Sequence, residues 1–166
     1  MPLPAPPRSD ALSDFLACVR RTSRAEIRED PVSLLLYSTD ASIFQAVPLA
    51  IAVPQTREDV SILISEAARR GIPVLPRVSG TSLAGQAVNE AVVIDVSRHL
   101  DRIVDIDPSA RTARVEPGVI LDDLNAAARP HGLQYGPDPA SSDRASLGGI
   151  VGNNATGAHS LLYGMT

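Results

Sequence analysis

Arg77-Val-Ser-Gly-Thr-Ser-Leu-Ala-Gly-Gln86 and the later stretch from Gly136-Pro-Asp-Pro139 to Ser146-Leu-Gly-Gly-Ile-Val-Gly-Asn-Asn-Ala-Thr-Gly157 and Ser160 decide how this chain reads. Each follows a short apolar run with the character of a strand, residues 72–75 before the first and 133–135 before the second. Small residues let a backbone approach a ligand closely, and successive N–H groups with Ser and Thr hydroxyls can ring an anion. Residues 78–82 combine consecutive amides with three hydroxyls, on Ser79, Thr81 and Ser82. Gly80 permits a backbone angle that other residues resist. The second loop is denser, with four of the chain's 11 glycines (Gly148, Gly149, Gly152 and Gly157) inside ten residues. Residues 148–152 read as the start of a short helix packed tightly on a neighbour, its amino end near Ser146 available to an anion. Either loop alone also fits a plain tight turn. Together in one small domain they predict a phosphate-bearing cofactor.

Composition narrows the class. A chain of 166 residues, 44% apolar and 20% charged, has enough material for a real core. With 3% aromatic residues and no Trp, that core must be Val, Ile, Leu and Ala. The net charge of -4 argues against a nucleic-acid or anionic-membrane binder. Every basic residue is Arg, so the lysine of a Walker A loop is missing. The G-x-G-x-x-G fingerprint is absent from both loops, which disfavours a Rossmann site. Cys18 is the only cysteine, so an intrachain disulfide and a cysteine-ligated metal are excluded; it reads as a plain thiol near Phe15 and Val19. The N-terminal stretch Met-Pro-Leu-Pro-Ala-Pro-Pro-Arg lacks the basic and apolar regions of a signal peptide, and no apolar run is long enough to span a membrane. A cytoplasmic setting is expected, or one peripheral to the inner membrane.

Outward from the two loops, periodicity sets the elements. Residues 2–8 are proline-rich and predict an extended or disordered segment. Ser9 caps an expected helix to Arg21, with Leu12, Phe15, Leu16 and Val19 on one face. Residues 22–47 carry no clear pattern. Residues 49–53 read as a strand closed by Pro54. Thr56 and Asp59 cap a helix over 57–70 with a stripe of Val60, Leu63, Ile64, Ala67 and Ala68, stopped by Gly71. Further strands are expected at 72–75, 91–95, 103–106 and 112–116, the last two around an Asp107-Pro-Ser-Ala turn. A helix over 119–129 buries Ile120, Leu121, Leu124 and Ala128, and Gly132 ends it. Strands and helices mix without strict alternation, which fits an α+β fold. The chain ends Leu162-Tyr-Gly-Met-Thr166 without a helix or strand to close it, and reads as cut.

Taken in order, Pro76-Arg-Val-Ser-Gly-Thr-Ser-Leu-Ala-Gly-Gln86, Val115-Glu-Pro-Gly118, Gly136-Pro-Asp-Pro139, Leu147-Gly-Gly149 and Gly152-Asn-Asn-Ala-Thr-Gly157 resemble the FAD-binding domain of the vanillyl-alcohol oxidase / para-cresol methylhydroxylase superfamily. The resemblance is nearest to its branch of D-lactate dehydrogenases, glycolate oxidase FAD subunits and D-2-hydroxyglutarate dehydrogenases. It covers residues 35–166, leaving 1–34 as an N-terminal extension with a helix. It implies two small α/β subdomains with FAD between them, truncated here at the C-terminus. By resemblance, Val78, Ser79, Gly80, Thr81 and Ser82, with Gly85 and Gln86, hold the pyrophosphate. Pro137, Ser142, Ser146, Gly149, Gly152, Asn153, Gly157 and Ser160 line the pyrophosphate, ribose and flavin side. The related loop usually reads Arg-Gly-Gly-Gly-Thr; Val78 and Ser79 replace two of those glycines, and a positive φ at Val78 would be costly. Many relatives tether FAD through a histidine in this loop; Thr81 and Ser82 stand there here, which implies noncovalent FAD.

The resemblance further implies a flavin-dependent oxidoreductase acting on a small 2-hydroxy acid, a C-terminal substrate domain outside this chain and an iron–sulfur electron acceptor as a partner. An alditol or aryl-alcohol oxidase of the same superfamily, or a subunit that has lost flavin, are the alternatives. The dispersed His99, His131 and His159 predict no metal site. His159 either lies near the flavin or has a structural or solvent role, and His131 sits at a helix end. Arg77 pairs with a carboxylate or braces the loop. Asp122 and Asp123 favour a helix start. No catalytic residue is expected in this chain.

Overall fold

A computed structural model describes residues 9–166, so the proline-rich segment lies outside it. The described chain forms two compact units, one of residues up to Arg77 with Ser82–His99, the other of Val78–Thr81 with Leu100–Thr166. No helix among the described residues is long and apolar enough to cross a membrane.

The first unit opens with α1 (Asp10–Thr22). Ser9 caps it by accepting the Leu12 amide at 3.2 Å, and Leu12, Phe15, Leu16 and Val19 are buried as their spacing predicts. Residues 22–47, unreadable in sequence, hold β1 (Glu26–Arg28) and α2 (Pro31–Tyr37). Asp30 caps α2 and Pro31 fills its first turn, where no amide hydrogen is required. β2 (Ala50–Val53) follows, then α3 (Arg57–Arg69) with a full Thr56–Asp59 capping box. β3 is Val74–Arg77 and β4 is Val92–Asp95. β3 starts later than expected because the Ile72 amide bonds Ala67 O at the end of α3, leaving Pro73 only its carbonyl to give to Val92.

The four strands order β1-β2-β4-β3, with β2 and β3 parallel to β4 and β1 antiparallel to β2. All residues of β2 and β4 are buried, as in a strand covered on both faces. On one face Ile51, Val53 and Val93 pack with Leu34, Tyr37, Val47 and Leu75. The α3 stripe is narrower than its periodicity implies. Leu63 and Ala67 are buried, whereas Ile64 is 48% exposed and Ala68 is exposed. α3 packs against α1, and the buried polar Asp59 shares its inward side with Leu63 and Ala67.

In the second unit β5 (Ile103–Asp107) and β6 (Thr112–Val115) form an antiparallel hairpin. A bulge between Ile103 and Asp105 leaves Val104 as the extra, half-exposed residue. It shifts the two-residue alternation, so that Ile103 and Ile106 both reach the core. That core is Val119, Leu121, Leu124, Ala145, Leu147 and Ile150. α4 is Leu121–Ala128, with Asp122 and Asp123 in its first turn; Ile120 falls outside it, half-buried at the cap. A 3-10 turn at Arg129–His131 follows and ends on Gly132, with φ 69°. Residues 133–135 form no strand, because no neighbour offers a ladder; the Tyr135 amide instead donates to Asn125 Oδ1 at 2.8 Å. α5 (Leu147–Gly152) matches the short helix expected there. A one-turn α6 (Ser160–Tyr163) stands where no element was expected.

Candidate functional site

Arg77 ends β3 and fixes where the first loop begins. Its guanidinium donates to three main-chain carbonyls, Tyr37 O (3.0 Å), Ala87 O (2.9 Å) and Thr39 O (2.7 Å). It also lies 5.3 Å from the centre of the Tyr37 ring. Arg77 therefore braces both ends of the loop against residues 37–39. Burial pushes its guanidinium below the ordinary value, against the pull of Asp40, Tyr37 and Asp95. Asp40 is pushed up by burial but held net below the usual carboxylate range by hydrogen bonds from Ser42 and Ala87 and by Arg77. Tyr37 donates its phenolic proton to the buried Asp95 at 2.5 Å. Burial and that bond push the phenol up to about 12. Sequence reading found Arg77 but missed Tyr37, Thr39 and Asp40, which lie in the stretch without periodicity.

Val78–Thr81 belong to the second unit. Of these four only Gly80 is left-handed, with φ 66°, so Val78 and Ser79 bear no backbone strain. Among the described residues, none of the four amides donates to a protein acceptor. Val78 and Gly80 are half-buried, and Ser79 is exposed. The Ser79 hydroxyl meets the Ser146 hydroxyl at 2.5 Å. On the first unit the loop continues with Ser82, which hydrogen-bonds the Gln86 side chain and accepts the Ala84 and Gln86 amides. Gly85 is left-handed at φ 78°, and a Cβ there would meet Phe44 Cδ2 at 2.8 Å.

The second loop is built by backbone pairing. Leu147 and Gly148 amides donate to Val119 O and Pro117 O, both at 2.8 Å, so two of the first amides of α5 are already spent. Gly148 seats against Pro117, where a Cβ would meet Pro117 Cβ at 2.6 Å. This explains why the Val115-Glu-Pro-Gly118 motif accompanies the glycine pair. Ser146 occupies the cap position of α5 yet makes no cap bond. Gly149 faces Val78, whose Cγ2 would lie 2.8 Å from an added Cβ. Ser142 closes a turn on Pro139 O and accepts the Asp122 amide. Asn153 ends α5, and Asn154 takes φ 47°, in keeping with the tolerance expected of these amides.

Pro137, Asp138 and residues 157–160 form a second close approach. Ala158 donates to Asp138 O at 3.0 Å and His159 to Pro137 O at 3.3 Å. A Cβ on Gly157 would fall 2.0 Å from Asp138 O, so only glycine fits. The Gly157 amide donates to Ser160 Oγ at 2.8 Å. Gly152 has open space around its Cβ position. His159 Nδ1 lies 3.6 Å from Asp138 Oδ2 on the surface. No cluster of three potential metal ligands exists among the described residues.

This frame can be compared with known proteins. The profile of a family described as the FAD binding domain matches residues 48–166. The chain belongs to the FAD binding domain family. Among curated relatives of this FAD binding domain, D-2-hydroxyglutarate dehydrogenase of Pantoea ananatis is 42% identical over 135 residues, covering 80% of this chain and 13% of that protein. The Pseudomonas putida enzyme of the same name is 36% identical, covering 92% and 16%. Glycolate oxidase subunit GlcD of Escherichia coli is 36% identical, covering 96% and 32%. The chain thus spans a third or less of the length of these relatives. Among solved structures, alkyldihydroxyacetonephosphate synthase superposes with TM-score 0.80 at 20% identity, over 96% of this chain and 35% of that one. p-Cresol methylhydroxylase superposes with TM-score 0.72 at 22% identity, over 91% and 30%. The α+β fold expected from the mixed order of strands and helices is therefore the fold of these solved structures.

Proposed function

We propose that this chain is the FAD-binding portion of a flavin-dependent dehydrogenase that oxidises a small 2-hydroxy acid such as D-lactate or glycolate. The observation that carries this reading is the run of four amides at Val78–Thr81 that have no protein acceptor among the described residues, in a chain of this family. The identity to D-2-hydroxyglutarate dehydrogenases and to GlcD supports the substrate class. When bound, FAD accepts the two electrons and the α-hydrogen of the alcohol being oxidised. The residues present suit such a group. Amides 78–81 donate to diphosphate oxygens, and hydrogen bonds to an ionised acceptor are about twice as strong as neutral ones. Gly80 supplies the one left-handed angle needed to point consecutive amides at a common centre. Of the second loop, Pro137, Ser142, Gly152, Asn153, Gly157 and Ser160 serve the ribose and flavin side. Ser82, Gly85 and Gln86 continue the first loop on the other unit.

FAD is held without a covalent tether, since Thr81 and Ser82 offer hydroxyls and no ring nitrogen. Substrate binding and proton removal belong to a substrate domain, with an iron–sulfur protein as the electron acceptor. The setting is cytoplasmic or peripheral to the inner membrane. The loss-of-flavin alternative rested on strain at Val78, and Val78 has an ordinary φ.

The deciding experiment is a visible absorption spectrum of the purified chain, before and after adding FAD and desalting. A retained flavin spectrum is expected, with all flavin released to the supernatant on denaturation. A folded chain that stays colourless at saturating FAD would overturn the cofactor assignment, and flavin in the precipitate would overturn the noncovalent one. The 166 residues alone are expected to oxidise no hydroxy acid.

A further inference from the structure

Two of the residues that resemblance assigns to the cofactor are already engaged by the protein itself. Gly149 has its Cβ space filled by Val78, at 2.8 Å from Val78 Cγ2. Ser146 is 2% exposed, and its hydroxyl meets Ser79 at 2.5 Å instead of capping α5. Both contacts lie within the second unit, and both involve the segment Val78–Thr81. The same segment contains four amides without a protein acceptor among the described residues. A run of free amides does not hold its own shape; something else must fix its backbone. Here the side chains at 78 and 79 do so, one by filling the gap over a glycine and the other by a hydroxyl pair whose Ser146 member is buried and whose Ser79 member is exposed. Neither residue needs a left-handed angle, so each also restricts the unfolded chain more than glycine would.

We propose that Val78–Gly149 and Ser79–Ser146 form a two-point latch that preorganises the anion-binding segment 78–81. On this assignment Ser146 and Gly149 are positioning residues rather than cofactor contacts. The inference rests on the reading that amides 78–81 receive the FAD pyrophosphate. The latch itself can nevertheless be measured without ligand.

The test is a pair of double-mutant cycles, Val78→Ala with Gly149→Ala and Ser79→Ala with Ser146→Ala. Each is read twice, as the apo melting temperature and as the FAD dissociation constant from fluorescence quenching. Gly149→Ala places a methyl where Val78 Cγ2 sits, so alone it lowers the melting temperature and weakens FAD binding. Adding Val78→Ala removes that Cγ2 and restores at least half of each loss. For the hydroxyl pair, the second alanine adds little to the first. Val78→Gly with Ser79→Gly frees the backbone and weakens FAD binding roughly tenfold. If Gly149→Ala costs the same with valine or alanine at position 78, or if the serine effects simply add, the latch is refuted. If Gly149→Ala does not fold, the serine cycle decides alone. If the parent chain binds no FAD, the proposed function fails, while the melting-temperature cycles still decide the latch.

Discussion

Replacing Asp59 is expected to destabilise the chain far more than its place in a helix first turn suggests. Its carboxylate is 3% exposed and accepts three main-chain amides, Arg24 at 2.8 Å on one oxygen and Gln55 and Thr56 at 3.0 and 2.9 Å on the other. Arg24 is 35 residues away, so one side chain ties the end of α1 to the start of α3. Hydrogen bonds to a charged group contribute ~1.5–3 kcal/mol each, giving a gross total of about 6 kcal/mol for three. Water reaches the freed amides of Gln55 and Thr56 once the carboxylate is gone, so we expect Asp59→Ala to cost about 4 kcal/mol. For a domain of this size that is a fall of about 12 °C in Tm. Asp59→Asn keeps one oxygen for Gln55 and Thr56 but turns an NH2 toward the Arg24 amide. It should lose about half as much.

Burial pushes the Asp59 carboxyl up, but the bonds from Arg24, Gln55 and Thr56 outweigh it and hold it below its ordinary value. The stabilisation is therefore complete above that ordinary value and is lost as pH falls through the lowered one, below about pH 4. Thermal melts by circular dichroism at pH 7 and at pH 3 check both parts. The gap between wild type and Asp59→Asn should narrow at the lower pH. A Tm loss under about 3 °C for Asp59→Ala, or a gap independent of pH, would refute the reasoning.

Two further outcomes follow from the loop brace. Arg77→Lys keeps the charge but cannot serve three carbonyls in different directions, so it should lower Tm by about 5 °C and raise hydrogen exchange at the Ala87 amide, read by NMR. Ultraviolet titration should show one tyrosine step near 12, assigned to Tyr37 by its absence in Tyr37→Phe; no step in that region would refute the combined effect of burial and the Asp95 bond on Tyr37.

The elements legible in sequence were those with local causes. α1 and α3 announce themselves through Ser9, Thr56 and Asp59 before an apolar stripe, and Gly71 and Gly132 mark ends that need a left-handed residue. α2 carried its own signal, Asp30 before Pro31. It was obscured because Leu34, Leu35 and Leu36 run together without periodicity, although only Leu34 is buried. β1 is three partly exposed residues whose only reason to be a strand is the edge of β2. Ile64 and Ala68 fit the stripe of α3 but not the surface that receives it. In the site, glycine positions exposed the loops, and Gly80, Gly85 and Gly157 each have the backbone or packing reason that a glycine implies. What the chain could not disclose was pairing at a distance. Val78 on Gly149, Gly148 on Pro117 and Arg77 on residues 37–39 all depend on which segments meet.

The division of the chain has a consequence for anyone who would cut it. The first unit lends Val78–Thr81 to the second and resumes at Ser82 before handing over for good at His99. A gene fragment starting at Leu100 would encode nearly all of the second unit and still lack its Val78–Thr81 loop. Expressed alone, it would offer Ser146 no hydroxyl partner and leave bare the hollow over Gly149. Recombination between homologues at that junction meets the same obstacle, since a crossover there mixes a loop from one parent with its seat from the other. Two compact bodies in space are, for inheritance and for splitting, one indivisible cassette.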